Sequence, residues 1–157
     1  MKIYIGTDHA GFELKEKLVP FLKEFGHTVE DFGAYTYNTE DDYPDFIRLV
    51  AEAVARDPES KGFILGGSGQ GEAMCANRVK GARATVYYGG AVDIVVLSRE
   101  HNDANILSLG ARFIDYEEAK EVARVWLETP FLGDERHTRR IKKIDENKFN
   151  KQQTINN

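Results

Sequence analysis

"GFILGGSGQGEAMCANRVKGARA", residues 62–84, decides how the rest of the chain is read. It opens as a short apolar run, places four glycines among the six residues from Gly66 to Gly71, and then takes on the composition of a helix. Strand, glycine loop and helix in that order bring bare backbone N–H groups to a helix N-terminus, a good place for an anion or a developing oxyanion. The phosphate-loop pattern ends in Gly-Lys-Ser/Thr, whereas here Gly71 is followed by Glu72. A carboxylate at that point needs a different account.

Working outward, the same change of period recurs. "KIYIG" (2–6) reads as a buried first strand, and Leu14, Leu18, Phe21, Leu22 and Phe25 then fall on one helical face, with Pro20 as a kink or break and Gly26 as a stop. "TVEDFG" (28–33) is a second strand. The polar loop "AYTYNTEDDYP" forms a rim before a helix with the face Phe46, Ile47, Val50, Ala53 and Val54. "GFILGG" is the third strand and "RATVYY" the fourth. "AVDIVVLSRE" is read as a helix, "ANILSLG" as a fifth strand, and "DYEEAKEVARVWLET" as a helix burying Ala119, Val122, Ala123 and Trp126. "DERHTRRIKKIDENKF" is one more helix, packing through Ile141 and Ile144.

This alternation predicts an α/β fold: a three-layer Rossmann-like sandwich with a five-stranded parallel sheet, helices on both faces and a C-terminal helix. One domain is expected over 1–150, with 151–157 a frayed tail. In such sheets ligands collect beyond the carboxyl ends of the strands, where strand order reverses. The loops after strands one, three and five, "TDHAGFE", "GGSGQGE" and "GARF", are therefore the ones to inspect.

Composition narrows the function. The 157 residues are 41% hydrophobic and 30% charged, with a net charge of −5, which speaks against nucleic acid as a general partner. A single cysteine, Cys75, has no intrachain partner and no zinc-like spacing around it. The opening "MKIYIGTDHAGFELKEK" reaches charge too early for a signal peptide, and no apolar run approaches a membrane span. The expectation is a reducing, cytoplasmic setting, no membrane and no metal.

Each candidate residue has two readings on its own. Asp8 is either an N-cap or, with His9, a ligand contact. Glu72 is either a first-turn carboxylate favoured by the helix dipole or a general base; Ser68, four residues earlier, is badly spaced for a capping box. His101 can end a helix, with Asn102 as its C-cap and Asp103 in the turn. Arg112 lies just after the fifth strand. Arg136 and Arg140, four apart, share one helical side, suited to a solvated face or to a phosphate.

Together, "GTDHAGF", "GGSGQGEAMCANRVKGARA", "SREHNDANILSLGAR" and "RHTRRI" resemble, in order and spacing, the ribose-5-phosphate isomerase B family, which also contains galactose-6-phosphate isomerase subunits. The resemblance runs from Met1 to about Ile144. It implies aldose–ketose isomerisation of a sugar phosphate through an enediolate, with no cofactor: ribose 5-phosphate to ribulose 5-phosphate as the leading reading, with a hexose 6-phosphate isomerase (allose or galactose) or a noncatalytic sugar-phosphate sensor as the alternatives. It assigns Glu72 as base, the Ser68–Gly71 backbone (with Gly67, Gly69, Gln70 and Gly71 at the substrate) as oxyanion donors, and His101 as the ring-opening acid. Asp8 and Asn102 would hold hydroxyls; His9, Arg112, Arg136 and Arg140 would hold the phosphate.

Many members carry their base as a cysteine in a Cys-Gly-Thr-Gly stretch, where this chain has Gly66. A second subgroup, which this sequence resembles, has Gly-Ser-Gly followed by a glutamate. Cys75 is then a small buried hydrophobe. The family's site is built from both chains of a homodimer, so self-association as a homodimer or a dimer of dimers is expected, with Glu72 and Arg112 entering one site from different chains.

Overall fold

A computed structural model describes residues 1–146. The expected domain limit at 150 and the fraying of 151–157 lie outside the described residues. Strands β1 (Lys2–Thr7), β2 (Thr28–Asp31), β3 (Lys61–Gly66), β4 (Ala84–Tyr87) and β5 (Ile106–Gly110) form one sheet in the order β2-β1-β3-β5-β4. Every pairing is parallel. Helices α1 (Phe12–Glu24), α2 (Tyr43–Arg56), α3 (Gln70–Ala76), α4 (Asp93–Asn102), α5 (Tyr116–Glu128) and α6 (Glu135–Ile144) alternate with and follow the strands.

Strand alternation explains the two cores. Ile3, Ile5, Phe63, Leu65, Leu107 and Leu109 face one side, where they pack with Leu18 and Leu22 of α1, Val95 of α4 and Trp126 of α5. Tyr4, Ile64 and Ile106, on the intervening positions, face Ile47, Val50 and Val54 of α2 and Ala76 of α3. Burial on both faces makes the central strands continuously apolar, which is why short runs such as "FIL" are strands. The topology reverses between β1 and β3, so the loops after those strands meet at one end of the sheet.

Three local expectations are corrected. Helix α1 runs through Pro20 without a break. Pro20 lies on the solvent side, so water can satisfy the carbonyl that it leaves unbonded, while Leu18 and Leu22 hold the buried face. Helix α6 does not pack through Ile144, which is 62% exposed; its buried residue is His137, which stacks on α4. The C-cap of α4 is Asp103 and not Asn102: Asp103 takes φ 44° and donates its N–H to Ser98 and Arg99.

Asp103 also joins two arginines. Its carboxylate meets Arg99 Nη1 at 2.8 Å and Arg83 Nη2 at 3.0 Å. Arg99 is buried and further donates to the carbonyls of Ala104 and Thr129. A second buried cation, Lys15, pairs with Asp31 at 2.5 Å and fixes the end of β2 over α1. Removing a carboxylate from a buried arginine strands a charge. Asp103→Ala should therefore lower unfolding stability by about 3 kcal/mol, read from urea denaturation. Arg124→Ala, which breaks only exposed pairs with Glu121 and Glu128, should leave the midpoint almost unchanged.

Candidate active site

The glycine loop is held from behind. The carbonyl of Gly66 accepts from Ala111 N–H at 2.8 Å, that of Gly67 from Arg112 N–H at 3.1 Å, and that of Gly69 from the buried Ser108 hydroxyl at 2.6 Å. In a trans peptide the next N–H points opposite to the carbonyl. Tying these carbonyls to β5 and its turn therefore directs the N–H groups of Gly67 and Ser68 away from it. Gly69 takes φ 77°, and a Cβ there would lie 3.0 Å from Ser108 Oγ; both facts favour glycine. Ser68 Oγ accepts the Gln70 N–H at 3.3 Å, so its side chain shapes the turn and does not cap α3.

Glu72 stands in the first turn of α3, yet only 5% of its surface is exposed. Its carboxylate fills the space that a side chain on residue 66 would take: a Cβ built on Gly66 would collide with Oε1 and Cδ and come within 2.6 Å of Oε2. Burial raises its pKa above the ordinary 4.5; a bond to its own backbone opposes this, and the charge of Asp8 adds to it. Desolvation thus outweighs the helix-end effect, which a seven-residue helix supplies only weakly. Tyr43, a residue that the sequence reading did not single out, lays its ring 3.0 Å from where a Gly71 Cβ would stand.

Asp8 caps the turn before α1 by accepting the Ala10 N–H at 2.9 Å, and it also lies within electrostatic reach of Glu72. The capping reading of it therefore holds. His9 and Arg112 line one cavity of about 410 Å³ with Glu13, Lys17 and Tyr37. The Arg112 guanidinium sits 3.3–3.4 Å from the Cβ position of Gly67, which joins this cavity to the glycine loop. Asp8, His9, Gly67–Glu72 and Arg112 therefore converge at the carboxyl ends of β1, β3 and β5 within one chain. The expectation that Glu72 and Arg112 come from different chains is corrected by this placement.

The remaining candidates lie elsewhere. His101 and Asn102 end α4, just before β5 begins, whereas the glycine loop is tied to the residues after β5 ends. Four strand steps of ~3.3 Å put ~13 Å of sheet between the two ends. His101 stacks on His137 with ring centroids 4.3 Å apart and an interplanar angle of 11°. Burial lowers the pKa of His137, and His101, Arg136 and Arg140 lower it further. Arg136 and Arg140 are exposed, with Arg136 Nη2 3.4 Å from His137 Nε2. His137 carries no signal of its own in the sequence, since no periodicity marks an imidazole stack between two helices.

Cys75 is half-buried against the α2–α3 core, and burial pushes its thiol up. That suppresses thiolate and suits a packing role. By ligand type, Asp8, His9 and Asp41 could hold a metal, their ligand atoms lying within 4.8 Å of one another. Two of these atoms are already engaged, however, Asp8 Oδ1 with Ala10 and His9 Nδ1 with Asp41. No helix among the described residues is long and apolar enough to cross a membrane.

With this geometry in place, comparison with known proteins is decisive. The family described as Ribose/Galactose Isomerase matches residues 3–144. The chain belongs to the ribose/galactose isomerase family. It is 42% identical over 141 residues to ribose-5-phosphate isomerase B of Mycolicibacterium paratuberculosis, covering 90% of this chain and 87% of the relative. The crystal structure of ribose-5-phosphate isomerase B from Mycoplasma genitalium with bound ribulose-5-phosphate superposes with a TM-score of 0.87 at 36% identity, over 92% of this chain and 93% of the other. That from Clostridium thermocellum gives 0.85 at 44% identity, over 92% and 95%. The Rossmann-like architecture read from the sequence is thus the fold of this isomerase family.

The raised pKa of Glu72 has a consequence for stability. Folding favours the protonated carboxyl, so the native protein keeps full stability below the unfolded carboxyl range, about pH 4. It loses part of that stability as pH rises through the higher folded value. Glu72→Gln removes the titration, so its melting temperature relative to the native protein should climb between about pH 4 and about pH 8. A difference that is flat or falling across that range would contradict the burial argument.

Proposed function

We propose that the chain is an aldose–ketose isomerase interconverting ribose 5-phosphate and ribulose 5-phosphate through an enediolate. The observation that carries this reading is a buried carboxylate, Glu72, held beside backbone N–H groups that the tied glycine loop turns outward. An enediolate needs that pair: a base that moves a proton between adjacent carbons, and donors for the oxygen that gains charge. Glu72 takes the proton from C2 of the aldose and returns it to C1, while the Gly67–Gly71 backbone with Ser68 and Gln70 holds the oxygen. Asp8 binds a hydroxyl, and His9 and Arg112 bind the phosphate from their shared cavity. A relative solved with bound ribulose-5-phosphate supports the pentose reading over a hexose 6-phosphate or a noncatalytic sensor.

His101, Asn102, Arg136 and Arg140 complete this site only from a second copy, because in one chain they lie at the far end of the sheet. His101 then opens the sugar ring by proton transfer, Asn102 holds a hydroxyl, and the two arginines close on the phosphate. Exposed apolar side chains flank both halves: Met74 and Tyr88 beside Gln70, and Ile94 and Leu97 on α4. Such surface suits a homodimer interface. The half-buried free thiol fits a reducing, cytoplasmic setting.

Proton NMR in heavy water with ribose 5-phosphate and allose 6-phosphate in parallel tests the reaction. Exchange at the carbon next to the carbonyl should appear with the pentose; its absence with both sugars would refute isomerisation. In the same assay Glu72→Gln should lower kcat by roughly two or more orders of magnitude, and Gly66→Ala should do similarly by displacing the carboxylate. Cys75→Ser should keep most activity. Circular dichroism checks the fold of each variant.

Mixing variants tests the assembly. Glu72→Gln and His101→Asn chains, each nearly inactive, should recover up to about a quarter of native activity, since half of randomly paired dimers hold one intact site of two. Glu72→Gln mixed with Arg112→Ala should recover none, because both residues belong to the same half-site. A fully active monomer would overturn the arrangement.

A further inference from the structure

The loop between β2 and α2 supplies more than a rim. Asp41 Oδ1 accepts the backbone N–H of His9 at 3.1 Å and lies 2.7 Å from its ring Nδ1. The Asp41 side chain is only 9% exposed, and its Oδ2 is buried with no hydrogen-bond partner among the described residues. Tyr37 of the same loop meets the imidazole edge-on, with centroids 6.3 Å apart and planes at 90°, and it also contacts the Phe12 ring. The His9 ring is therefore fixed at one nitrogen and against an aromatic neighbour.

A buried carboxylate oxygen left without a partner costs folding free energy. Capping a short turn does not explain it, since Asp8 already caps that turn. An imidazole offers two nitrogens, and the partner of one fixes the tautomer and aim of the other. With Nδ1 engaged by Asp41, Nε2 is the nitrogen left for a ligand in the cavity that His9 shares with Arg112.

We propose that Asp41 is a positioning residue for the phosphate site: its carboxylate accepts from His9 Nδ1–H, so that in the doubly protonated ring the Nε2–H is aimed at the substrate phosphate beside Arg112. This rests on the reading of His9 as a phosphate ligand. Asp41 touches neither the sugar nor the reacting carbons, so its loss acts on binding and leaves proton transfer by Glu72 in place.

The test combines ring-nitrogen NMR with titration by inorganic phosphate. At about pH 8.5, where imidazoles are ordinarily neutral, native His9 should show the Nδ1–H tautomer, and Asp41→Leu should shift it toward Nε2–H. Phosphate affinity, titrated at about pH 6, where an imidazole can carry both protons and Nε2–H can donate, should fall roughly tenfold, the scale for removing a carboxylate that orients a histidine, and KM for ribose 5-phosphate should rise in step while kcat stays within about twofold. In a His9→Ala background, Asp41→Leu should cost no further phosphate affinity. Asp41→Asn, which keeps an acceptor for both N–H groups, should retain the tautomer and lose only about threefold, and it serves if the leucine variant does not fold.

A tautomer unmoved in Asp41→Leu, or phosphate affinity unchanged in both Asp41 variants, overturns the proposal, as does an additive loss in the His9→Ala background. Inorganic phosphate binds without turnover, so absent isomerase activity would count against the proposed reaction and leave this test readable. Unchanged phosphate binding in His9→Ala alone would remove His9 from the phosphate site and this role of Asp41 with it.

Discussion

The carboxyl end of the sheet is organised around a missing side chain. Because residue 66 is glycine, the Glu72 carboxylate can fold back onto β3 and occupy the space where a Cβ would stand. That close approach places a carboxylate directly above the end of the central strand, between the β1 loop that carries Asp8 and the β5 turn that carries Arg112. It also buries the carboxylate, and burial raises its pKa. A more basic carboxylate is a better proton acceptor for a weak carbon acid, so the same contact that weakens the fold as pH rises suits the chemistry.

The glycine loop can keep its outward N–H groups only because β5 holds its other side. Ser108 interrupts an otherwise apolar strand, and its hydroxyl accounts for that by binding the Gly69 carbonyl. Gly110, the last residue of β5, allows the same approach, since a Cβ there would stand 2.7 Å from the Ser68 carbonyl oxygen. Small or polar residues at the ends of β3 and β5 are thus a single device for bringing two backbones together.

What was legible in the sequence follows from period. Strands buried on both faces show as short apolar runs, and helices with one buried stripe show as 3.6-residue spacing; Ala119, Val122, Ala123 and Trp126 fall inside the core as that spacing requires. The strand-end loops also stood out, because glycine and charge have no packing reason to gather there. Long-range polar pairing leaves no such trace. Lys15 with Asp31, Asp103 with Arg83, and Asp41 with His9 join residues 16 to 32 positions apart through side-chain atoms, and only the folded chain reveals them. Period misled at Ile144, where a regular apolar spacing met solvent and a histidine stack held the helix instead.

The division of the proposed site between the two ends of the sheet bears on why the chain would associate. A parallel strand carries its loops in one direction, so one chain cannot bring residues before β5 and residues after it to the same sugar; some 13 Å of hydrogen-bonded strand keeps them apart. The stacked His101–His137 pair, with Arg136 and Arg140 beside it, concentrates positive charge and proton-transfer capacity at an end of the molecule that has no glycine loop. The loop end has the proposed base and oxyanion donors but, among the described residues, no second histidine for the proposed ring opening. Under the proposed function each end lacks what the other presents, and a two-fold pairing would supply both at once by making two identical sites. On this reading, assembly is a requirement of the parallel topology, imposed before any interface contact adds stability.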